Sequence, residues 1–362
     1  MKRARLPKPF ALLLPALLIP LIGCGGGGAD SDADADGPVT WQMARDKAVT
    51  RKNPETGVEW TVWIRTDEGN GASAKRMVEN VLSTNPDAAA MVGLYNYNPP
   101  AILQAVEARD KLEQIKIIGF DENELTLAAI KEDKIVGTIV QNPYMFGFRS
   151  VELLAAKVRG QEIDVPDNGL MYVDTRVITQ ENVDAFNSEV TNIREGNGPV
   201  PDFNADRDMS KRVNIHFVAN LPDPFWKLAN RGCDLAEEKF NAEVSFHEPE
   251  RSSVALQKQY VEDKMSEIDG LAISVVNPAA QTELINEWAS RFAVIAVDSD
   301  APESDRLFYL GTSNVSAGRQ AGELVAQSVP EGGEVIIFVG PLTQANARER
   351  AQGVINALLG QE

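Results

Sequence analysis

Carboxylate, amide and aromatic side chains stand directly after several apolar runs of this sequence. Asp121 follows Ile115–Phe120, and Asp298 follows Ala293–Val297. Carboxylates and amides accept hydrogen bonds from hydroxyl groups, a guanidinium donates as a planar fork, and aromatic rings cover apolar faces. A neutral polyol fits this inventory, whereas a phosphate does not, because three candidate carboxylates would oppose one guanidinium. The candidate ligand-binding residues are Tyr95, Asn96, Asp121, Gln141, Asp223, Phe225, Trp226, Asn277, Asp298 and Arg348.

Several of these candidates also have a purely structural interpretation. Asp121 and Asp298 could cap helices or turns. Gln141 precedes Asn-Pro and could satisfy a backbone group of a hinge. Phe225 and Trp226 could form the inward face of a helix, but two adjacent aromatic residues cannot both point inward, so we expect at least one to stack on a ligand. Arg348 has a neighbour, Arg350, for which we expect a solvated or salt-bridged position.

The composition restricts the possible functions. The chain has 362 residues, a formal charge of −18, two His and two Cys. The acidic balance argues against nucleic acid, which requires clustered Lys and Arg. His216 and His247 leave little material for a metal site or a histidine general base. We therefore predict no metal, no cofactor and no catalytic residues, and the length favours two domains, since single cores stop growing at about 250–300 residues.

Short apolar runs alternate with amphipathic segments in two series, as expected for parallel sheets covered by helices. We predict two doubly wound, Rossmann-like α/β domains joined by a hinge, over residues 57–186 and 211–362. Residues 187–210 contain two Gly, two Pro and several acidic residues and are predicted to be a linker. In such sheets ligands bind beyond the carboxyl ends of the strands, so the candidate residues would face a cleft between the domains.

The amino terminus has the pattern of an export signal. Basic residues precede an apolar stretch that is too short to span a bilayer and ends at Leu21-Ile22-Gly23-Cys24. Those four residues resemble the bacterial lipobox, which implies cleavage after residue 23 and lipidation of Cys24. An ordinary signal with an incidental Cys is the alternative. Residues 24–56 begin with a Gly- and Asp-rich stretch and are predicted to form a flexible tether.

Several motifs of the second series resemble the periplasmic sugar-binding proteins of the ribose-binding type. Residues 213–226 are similar to the first strand and helix of that family, with Pro and two aromatic residues after the strand. The likeness continues through residues 273–278, 294–300, 309–314 and 346–350 in the order of the family's amino-terminal domain. Residues 93–98, 118–121, 138–143 and 177–183 resemble its carboxy-terminal domain. This resemblance implies a type I periplasmic binding protein fold and implies that the candidate residues belong to its sugar site.

The two blocks stand in reversed order relative to the family. This order implies a circular permutation, with the cut between Glu362 and about Gly57, at a hinge crossing, and with residues 187–210 bridging the former ends. A rearranged gene whose product folds poorly is the alternative. Asp223 and Tyr95 depart from residues common in the family, so the particular sugar stays undetermined.

The resemblance implies a monomeric, non-enzymatic lipoprotein at the periplasmic side of a bacterial membrane. It would capture a pentose or hexose and deliver it to an ABC permease in the inner membrane. A sensor that presents its ligand to a membrane receptor is the alternative from the same fold. A glycoside hydrolase would need one carboxylic acid held protonated, for which the sequence has no indication. A repressor is disfavoured by the export signal and by the lack of a helix-turn-helix pattern.

Overall fold

The apolar runs form thirteen strands in the part of the chain that the computed structural model describes, residues 37–67 and 71–362. The predicted signal segment 1–23, Cys24 and residues 25–36 lie outside the described residues. The strands are β1 Val49–Lys52, β2 Glu59–Thr66, β3 Ala90–Gly93, β4 Lys116–Phe120, β5 Gly137–Val140, β6 Leu170–Tyr172, β7 Arg176–Thr179, β8 Val213–Val218, β9 Ala242–His247, β10 Gly270–Ile273, β11 Ala293–Val297, β12 Tyr309–Gly311 and β13 Gly333–Val339.

Eleven helices cover these strands within the same described ranges. They are α1 Trp41–Asp46, α2 Gly71–Thr84, α3 Asn98–Glu107, α4 Glu124–Lys131, α5 Pro143–Val158, α6 Val183–Arg194, α7 Pro224–Phe240, α8 Val254–Lys264, α9 Pro278–Ala289, α10 Asn314–Ser328 and α11 Ala345–Leu359. Several begin at the capping residues that the sequence provides. Asn123, Asn142, Asp223 and Ser253, for example, each accept a hydrogen bond from a backbone N–H of the first turn.

The strands form two sheets, each the centre of one lobe. The first sheet has the order β1-β2-β13-β3-β4-β5-β7, with antiparallel pairing only at its two edges. The second has the order β6-β12-β11-β10-β8-β9 and is entirely parallel. We call them the first lobe, with α1–α4, α6, α10 and α11, and the second lobe, with α5 and α7–α9. The predicted fold class, two doubly wound α/β domains, is confirmed.

Both faces of each sheet are buried, because successive residues of the central strands point to opposite faces and both sets are apolar. Val335, Ile337 and Val339 of β13 pack into a core with α10 and α11. Ile336 and Phe338 of the same strand point to the opposite core, against α2 and α3. This continuous apolar pattern is typical of strands in the middle of a parallel sheet. It explains why β13 lies inside the first sheet although it is the last strand of the chain.

The predicted domain boundaries do not coincide with the lobes. The sequence predicts that residues 314–362 belong to the second domain, but the structure places α10, β13 and α11 in the first lobe. It also predicts that α5 and β6 belong to the first domain, whereas both lie in the second lobe. The physical reason is that the chain crosses between lobes inside each predicted block. Apolar periodicity identifies a strand but does not indicate which sheet it joins.

Three short crossings connect the lobes near the carboxyl ends of their strands. The chain passes from β5 to α5 at Gln141–Asn142, from β6 to β7 at 173–175, and from β12 to α10 at Thr312–Ser313. None coincides with the chain ends, so the predicted cut at a hinge is not what the structure has. Both Val39 and Gln361 lie in the first lobe, where the Val39 N–H donates to Gln361 Oε1 at 2.7 Å.

The predicted tether is partly folded. Residues 41–46 form α1 and residues 49–52 form β1, which pairs with β2. Ala44 and Val49 are buried in the core of the first lobe, and the Asn53 amide donates to the Leu358 carbonyl at 3.0 Å. The tether predicted from composition was therefore too long, because α1 and β1 are too short to give a clear periodic pattern.

The predicted linker begins later and lies on the protein surface. Residues 183–194 form α6, whose Val190 and Ile193 are buried. The following segment, residues 195–212, leads from α6 in the first lobe to β8 in the second and is a fourth connection between them. It is fastened by the Tyr144 hydroxyl, which donates to the Pro199 carbonyl at 3.0 Å, and by Phe203, which packs 5.3 Å from the Phe240 ring.

Each lobe contains a pair of helices in very close contact at glycines. A Cβ on Gly318 of α10 would lie 2.0 Å from the Arg350 carbonyl oxygen, and one on Gly353 of α11 would lie 2.2 Å from the Val315 oxygen. In the second lobe, Gly147 of α5 and Gly232 of α7 would each place a Cβ 1.9 Å from a carbonyl oxygen of the other helix. Only glycine permits these approaches. The pair α10–α11 positions part of the candidate site.

Candidate functional site

Two aspartates occupy equivalent positions in the two lobes. Asp121 follows β4 in the first lobe and has a φ of 64°, and Asp298 follows β11 in the second lobe and has a φ of 63°. A non-glycine residue with a positive φ is uncommon, and such strain is concentrated at functional sites. Both backbone N–H groups still donate to the neighbouring strand, to the Ile139 and Leu310 carbonyls respectively. The Asp121 charge contributes to the raised pKa of Asp298, so the two carboxylates of different lobes lie near each other.

Arg350 of α11 is near enough to influence both carboxylates and is held by hydrogen bonds. Its Nε donates to Asn314 Oδ1 at 2.9 Å, its Nη1 donates to the Leu94 carbonyl at 3.1 Å, and its guanidinium lies 4.0 Å from the centre of the Phe120 ring. The residue is only 3% exposed. The close contact of α10 with α11 brings Asn314 within reach of the guanidinium.

The structure does not have the solvated position expected for Arg350. Arg348, predicted to bind ligand, donates from Nη1 to the carbonyls of Leu342 and Thr343 at 2.9 and 2.8 Å and lies over the Trp41 ring. Arg350, predicted to be solvated or salt-bridged, is buried at the cleft instead. The helical spacing contained the signal, since Ala347, Ala351, Val354 and Leu358 form the buried face of α11 and Arg350 is buried beside them.

The guanidinium and the two carboxylates do not form a closed ion pair. No ion pair within 4.0 Å joins Arg350 to Asp121 or Asp298 in the described part of the chain. Burial raises the pKa of both carboxyls, that of Asp298 to about 6, and Arg350 opposes part of this rise. Arg350 thus influences both carboxylates without a direct ion pair to either.

Gln141 connects the site to the hinge. Its Nε2 donates to Asp121 Oδ1 at 2.9 Å, and its Oε1 accepts from the Thr312 hydroxyl at 3.0 Å. Gln141 belongs to the first crossing and Thr312 to the third, so one side chain joins two connections between lobes to a site carboxylate. The structural role that the sequence allowed for Gln141 is therefore present, and the same contacts place it at the candidate site.

The predicted residues of the first lobe lie together. The Asn96 backbone N–H lies near Asp121 and acts to lower the pKa of that carboxyl, and the Asn96 side-chain oxygen is buried without a hydrogen-bond partner among the described residues. The Tyr95 hydroxyl donates to Gln344 Oε1 at 2.7 Å, and Tyr95 lies 5.7 Å below the Arg350 guanidinium. Burial raises the pKa of Tyr95 well above its usual value, so the phenol stays protonated.

The second lobe contributes Asp223 and Phe225 but uses Trp226 and Asn277 structurally. Asp223 caps α7 and still influences the pKa of Asp121. Phe225 is partly buried, with its ring 5.0 Å from that of Trp226. Trp226 is 2% exposed and belongs to the core of the lobe, so stacking on a ligand is left to Phe225. Asn277 is exposed and caps α9 through the Ala280 N–H.

Glu122 was not predicted from the sequence. It is 9% exposed, lies next to Asp121 in the chain, and its Oε2 is buried with no hydrogen-bond partner among the described residues. Burial, together with the nearby Asp121 and Asp223 charges, raises the pKa of Glu122 to about 8. The position of Glu122 directly after a strand-end aspartate was visible in the sequence. Its proximity to Asp223 was not, because Asp223 belongs to the other lobe.

Candidate metal sites and membrane-spanning helices were also sought among the described residues. Within residues 37–67 and 71–362, no group of three or more His, Cys, Asp or Glu is arranged to hold a metal ion. The same described residues include no helix long and apolar enough to cross a bilayer. The arrangement thus provides carboxylate acceptors from both lobes and the guanidinium donor of Arg350.

The fold and this site define the class of protein. A family model described as the periplasmic binding protein domain matches residues 41–162 and 216–361. The chain belongs to that family, and the expectation from the sequence motifs is confirmed.

Individual relatives match parts of the chain. The ribose import binding protein RbsB of Haemophilus influenzae is 23% identical over 39% of this chain and 49% of its own length. The protein of that name from Bacillus subtilis is 29% identical over 28% and 32%, respectively. The chain thus spans about half or less of these curated relatives. A solved solute binding protein from Burkholderia graminis, in complex with D-arabinose, is 29% identical over 41% of this chain and 52% of its own, with a TM-score of 0.39.

Proposed function

We propose that the protein captures a monosaccharide, a pentose or hexose, in the cleft between its lobes and delivers it to an ABC permease. The observation that carries the proposal is the pair of strand-end aspartates, one from each lobe, that face a single buried arginine. Carboxylates accept from sugar hydroxyls and Arg350 donates to ring or hydroxyl oxygens, each in charge-assisted hydrogen bonds. The relatives named for ribose import support the same ligand class.

Capture would proceed by closure of the lobes. A ligand that contacts Asp121 and Arg350 in the first lobe and Asp298 in the second stabilises the closed arrangement and shifts the population towards it. The hydrogen bonds of Gln141 with Asp121 and Thr312 would couple this closure to the site, because they join two crossings to Asp121. No bond is broken in this function, and we assign no enzymatic activity.

Location at the cell envelope completes the proposal. Residues 1–23 would be removed as a signal, and Cys24 would carry the lipid that anchors the protein at the periplasmic side of the membrane. A Cys24→Ala variant expressed in a bacterial host should then pass from the detergent phase to the aqueous phase on phase separation. Equal partition of both forms would contradict the anchor without affecting the sugar site.

A thermal-shift panel of pentoses and hexoses tests the binding function. A ligand at about 100 times its dissociation constant adds about 2.7 kcal/mol to stability, which is a clear rise in melting temperature. Asp121→Asn should lose this rise. Asp133→Asn is the matched control, because Asp133 also has a positive φ, of 59°, but is exposed in the turn after α4. A panel in which no sugar raises the melting temperature would refute the proposal.

We further propose that the chain order is a circular permutation of the family order. The support is that all three short crossings are uninterrupted and that Val39 and Gln361 are adjacent in the first lobe. A chain rearranged to begin at Arg212, with Glu362 joined to Gly37 by a short linker and ending near Asn204, should fold to a monomer with the same sugar response. If the protein in its given chain order aggregates while the rearranged chain folds well, the alternative of a rearranged gene whose product folds poorly would be favoured over a circular permutation.

A further inference from the structure

Two fully buried glutamines lie next to each other in the second lobe. Gln257 of α8 and Gln281 of α9 are both 0% exposed, and Gln281 Nε2 donates to Gln257 Oε1 at 2.8 Å. Burying an amide side chain is unfavourable unless its donors and acceptors are satisfied. The groups to which these two side chains bond therefore indicate what the pair does in the fold.

The glutamine pair bonds to backbone groups just beyond the carboxyl ends of β8 and β10. Gln257 Nε2 donates to the carbonyls of Ala219 and Ser274, each at 2.8 Å. Gln281 Oε1 accepts from the N–H groups of residues 276 and 277, both at 2.8 Å. The backbone leaves the sheet at these positions, so its buried polar groups require side-chain partners. The pair thus fixes the strand ends that form the second-lobe edge of the cleft.

Ser274 connects this pair to Asp298. It is 0% exposed, its N–H donates to the Val218 carbonyl at 2.9 Å, and its carbonyl accepts from Gln257. Its hydroxyl donates to Asp298 Oδ2 at 3.3 Å. This distance is longer than the usual value of about 2.7–2.8 Å, so a small displacement of Ser274 would break the contact. The bond to Asp298 therefore depends on how firmly the Ser274 backbone is held.

The contacts of Asp298 leave one carboxylate oxygen available. The hydroxyls of Ser274 and Ser299 both donate to Oδ2, each at 3.3 Å, and within the described part of the chain no hydrogen bond reaches Oδ1. The backbone of Asp298 is fixed separately, because its N–H donates to the Leu310 carbonyl and its own carbonyl accepts from the Tyr309 hydroxyl. The glutamine pair therefore influences the Asp298 side chain rather than its backbone.

We propose that Gln257 and Gln281 are positioning residues for ligand capture, because they hold Ser274 so that its hydroxyl orients Asp298 with Oδ1 towards the ligand. The proposal rests on the monosaccharide function given above and adds two residues that are too deeply buried to touch the sugar. A carboxylate with one oxygen held is preorganised to accept from a sugar hydroxyl through the other. Without that bond the side chain would have to be ordered on binding, which lowers affinity.

A double-mutant cycle on sugar affinity tests this series of contacts. The titrated sugar is the one that gives the largest thermal shift among D-ribose, D-arabinose, D-xylose, D-glucose, D-galactose and D-fructose. Ser274→Ala and Gln257→Leu should each weaken binding about 10-fold, as expected for loss of one hydrogen bond to a charged group. The double variant should also lose about 10-fold, because both changes remove the same contact, whereas independent effects would multiply to about 100-fold.

The pKa of Asp298 provides a measurement that needs no ligand. Burial raises this pKa to about 6, and the Ser274 hydroxyl opposes the rise. Carbon-13 NMR titration of the carboxyl groups, assigned with Asp298→Asn, should show a higher pKa in Gln257→Leu, as in Ser274→Ala, since the hydroxyl no longer donates to Oδ2. Gln281→Met leaves both carbonyls bonded to Gln257 and should raise the pKa by less. It replaces Gln257→Leu if that variant does not melt cooperatively.

Asn53→Leu is the matched control. Asn53 is a buried amide of the first lobe that also bonds to backbone groups, accepting from the N–H groups of residues 55 and 56 and donating to the Leu358 carbonyl at 3.0 Å. Its replacement should lower the melting temperature, as Gln257→Leu does, because buried backbone groups lose their partners in both variants. It should leave the sugar affinity and the pKa of Asp298 unchanged.

The outcomes separate the positioning role from the underlying function. A loss of about 100-fold in the double variant, or an Asp298 pKa that Gln257→Leu does not change, overturns the positioning role and leaves sugar capture intact. An equal loss of affinity in Asn53→Leu does the same, because it would reflect general destabilisation. If the parent protein binds none of the six sugars, the monosaccharide function is overturned and the role in capture with it.

Discussion

Replacing Arg350 by Met tests the electrostatic design of the cleft. The change removes two hydrogen bonds from a charged donor, to Asn314 and to the Leu94 carbonyl, each worth about 1.5–3 kcal/mol. It also removes the guanidinium from the Phe120 ring, worth about 1–2 kcal/mol. Burial of the methionine side chain offsets part of this, so the free energy of unfolding should fall by about 3–5 kcal/mol near neutral pH, as for other broken buried charge contacts.

The loss should also depend on pH in a definite direction. Burial already raises the pKa of Asp298 from its ordinary value to about 6, and Arg350 opposes that rise. A carboxyl whose folded pKa is raised stabilises the protein below its unfolded pKa, and this contribution is lost as the pH rises through the folded pKa. Without Arg350 the pKa values of Asp121 and Asp298 rise further. The deficit of Arg350→Met should therefore shrink as the pH is lowered from about 8 towards 5.

Urea unfolding at a series of pH values measures both effects. Arg348→Met is the matched control, two positions away on the same helix, with a guanidinium bonded only to carbonyls of the preceding loop. Its cost should stay below about 1.5 kcal/mol and should not vary with pH. If the two variants lose similar stability, or if the Arg350→Met deficit is constant from pH 5 to 8, the assignment of Arg350 as the counter-charge of the two aspartates is wrong.

Three further outcomes can be measured on single changes. Asp121→Gly should abolish sugar binding in titration without lowering the melting temperature by more than a few degrees, because glycine suits the φ of 64°. Gly318→Ala should lower the free energy of unfolding by about 2 kcal/mol or more, since its Cβ would lie 2.0 Å from the Arg350 oxygen, whereas Ser316→Ala on the exposed side of α10 should change it by less than about 0.5 kcal/mol. Cleavage of a protease site placed at residues 204–207 should leave sugar affinity unchanged, because three uncut crossings still join the lobes, and a large loss would contradict their sufficiency.

The sequence predicted the local features of the fold and missed those that depend on tertiary contacts. Apolar runs such as Ile115–Phe120 are long and buried on both faces, so their strands and the aspartates after them were identifiable. The sheet that receives β13 was not, because its pattern is equally compatible with either lobe. The short α1 and β1 were missed because their stability comes from packing against α11 and pairing with β2.

The site shows the same division. Asp121, Asp298 and Gln141 were recognisable as candidates because each follows a strand end. The burial of Arg350 was not predicted, although the apolar spacing of α11 puts Arg350 on the buried face of that helix.

The adjacency of Val39 and Gln361 has a consequence for reporting closure by fluorescence. A donor and an acceptor fluorophore attached at these two positions would both be on the first lobe, so the distance between them would stay constant if the second lobe moved relative to the first. Energy transfer would then be insensitive to sugar. A responsive sensor instead requires one fluorophore at the exposed end of residues 195–212, close to β8, and the other beside residue 361.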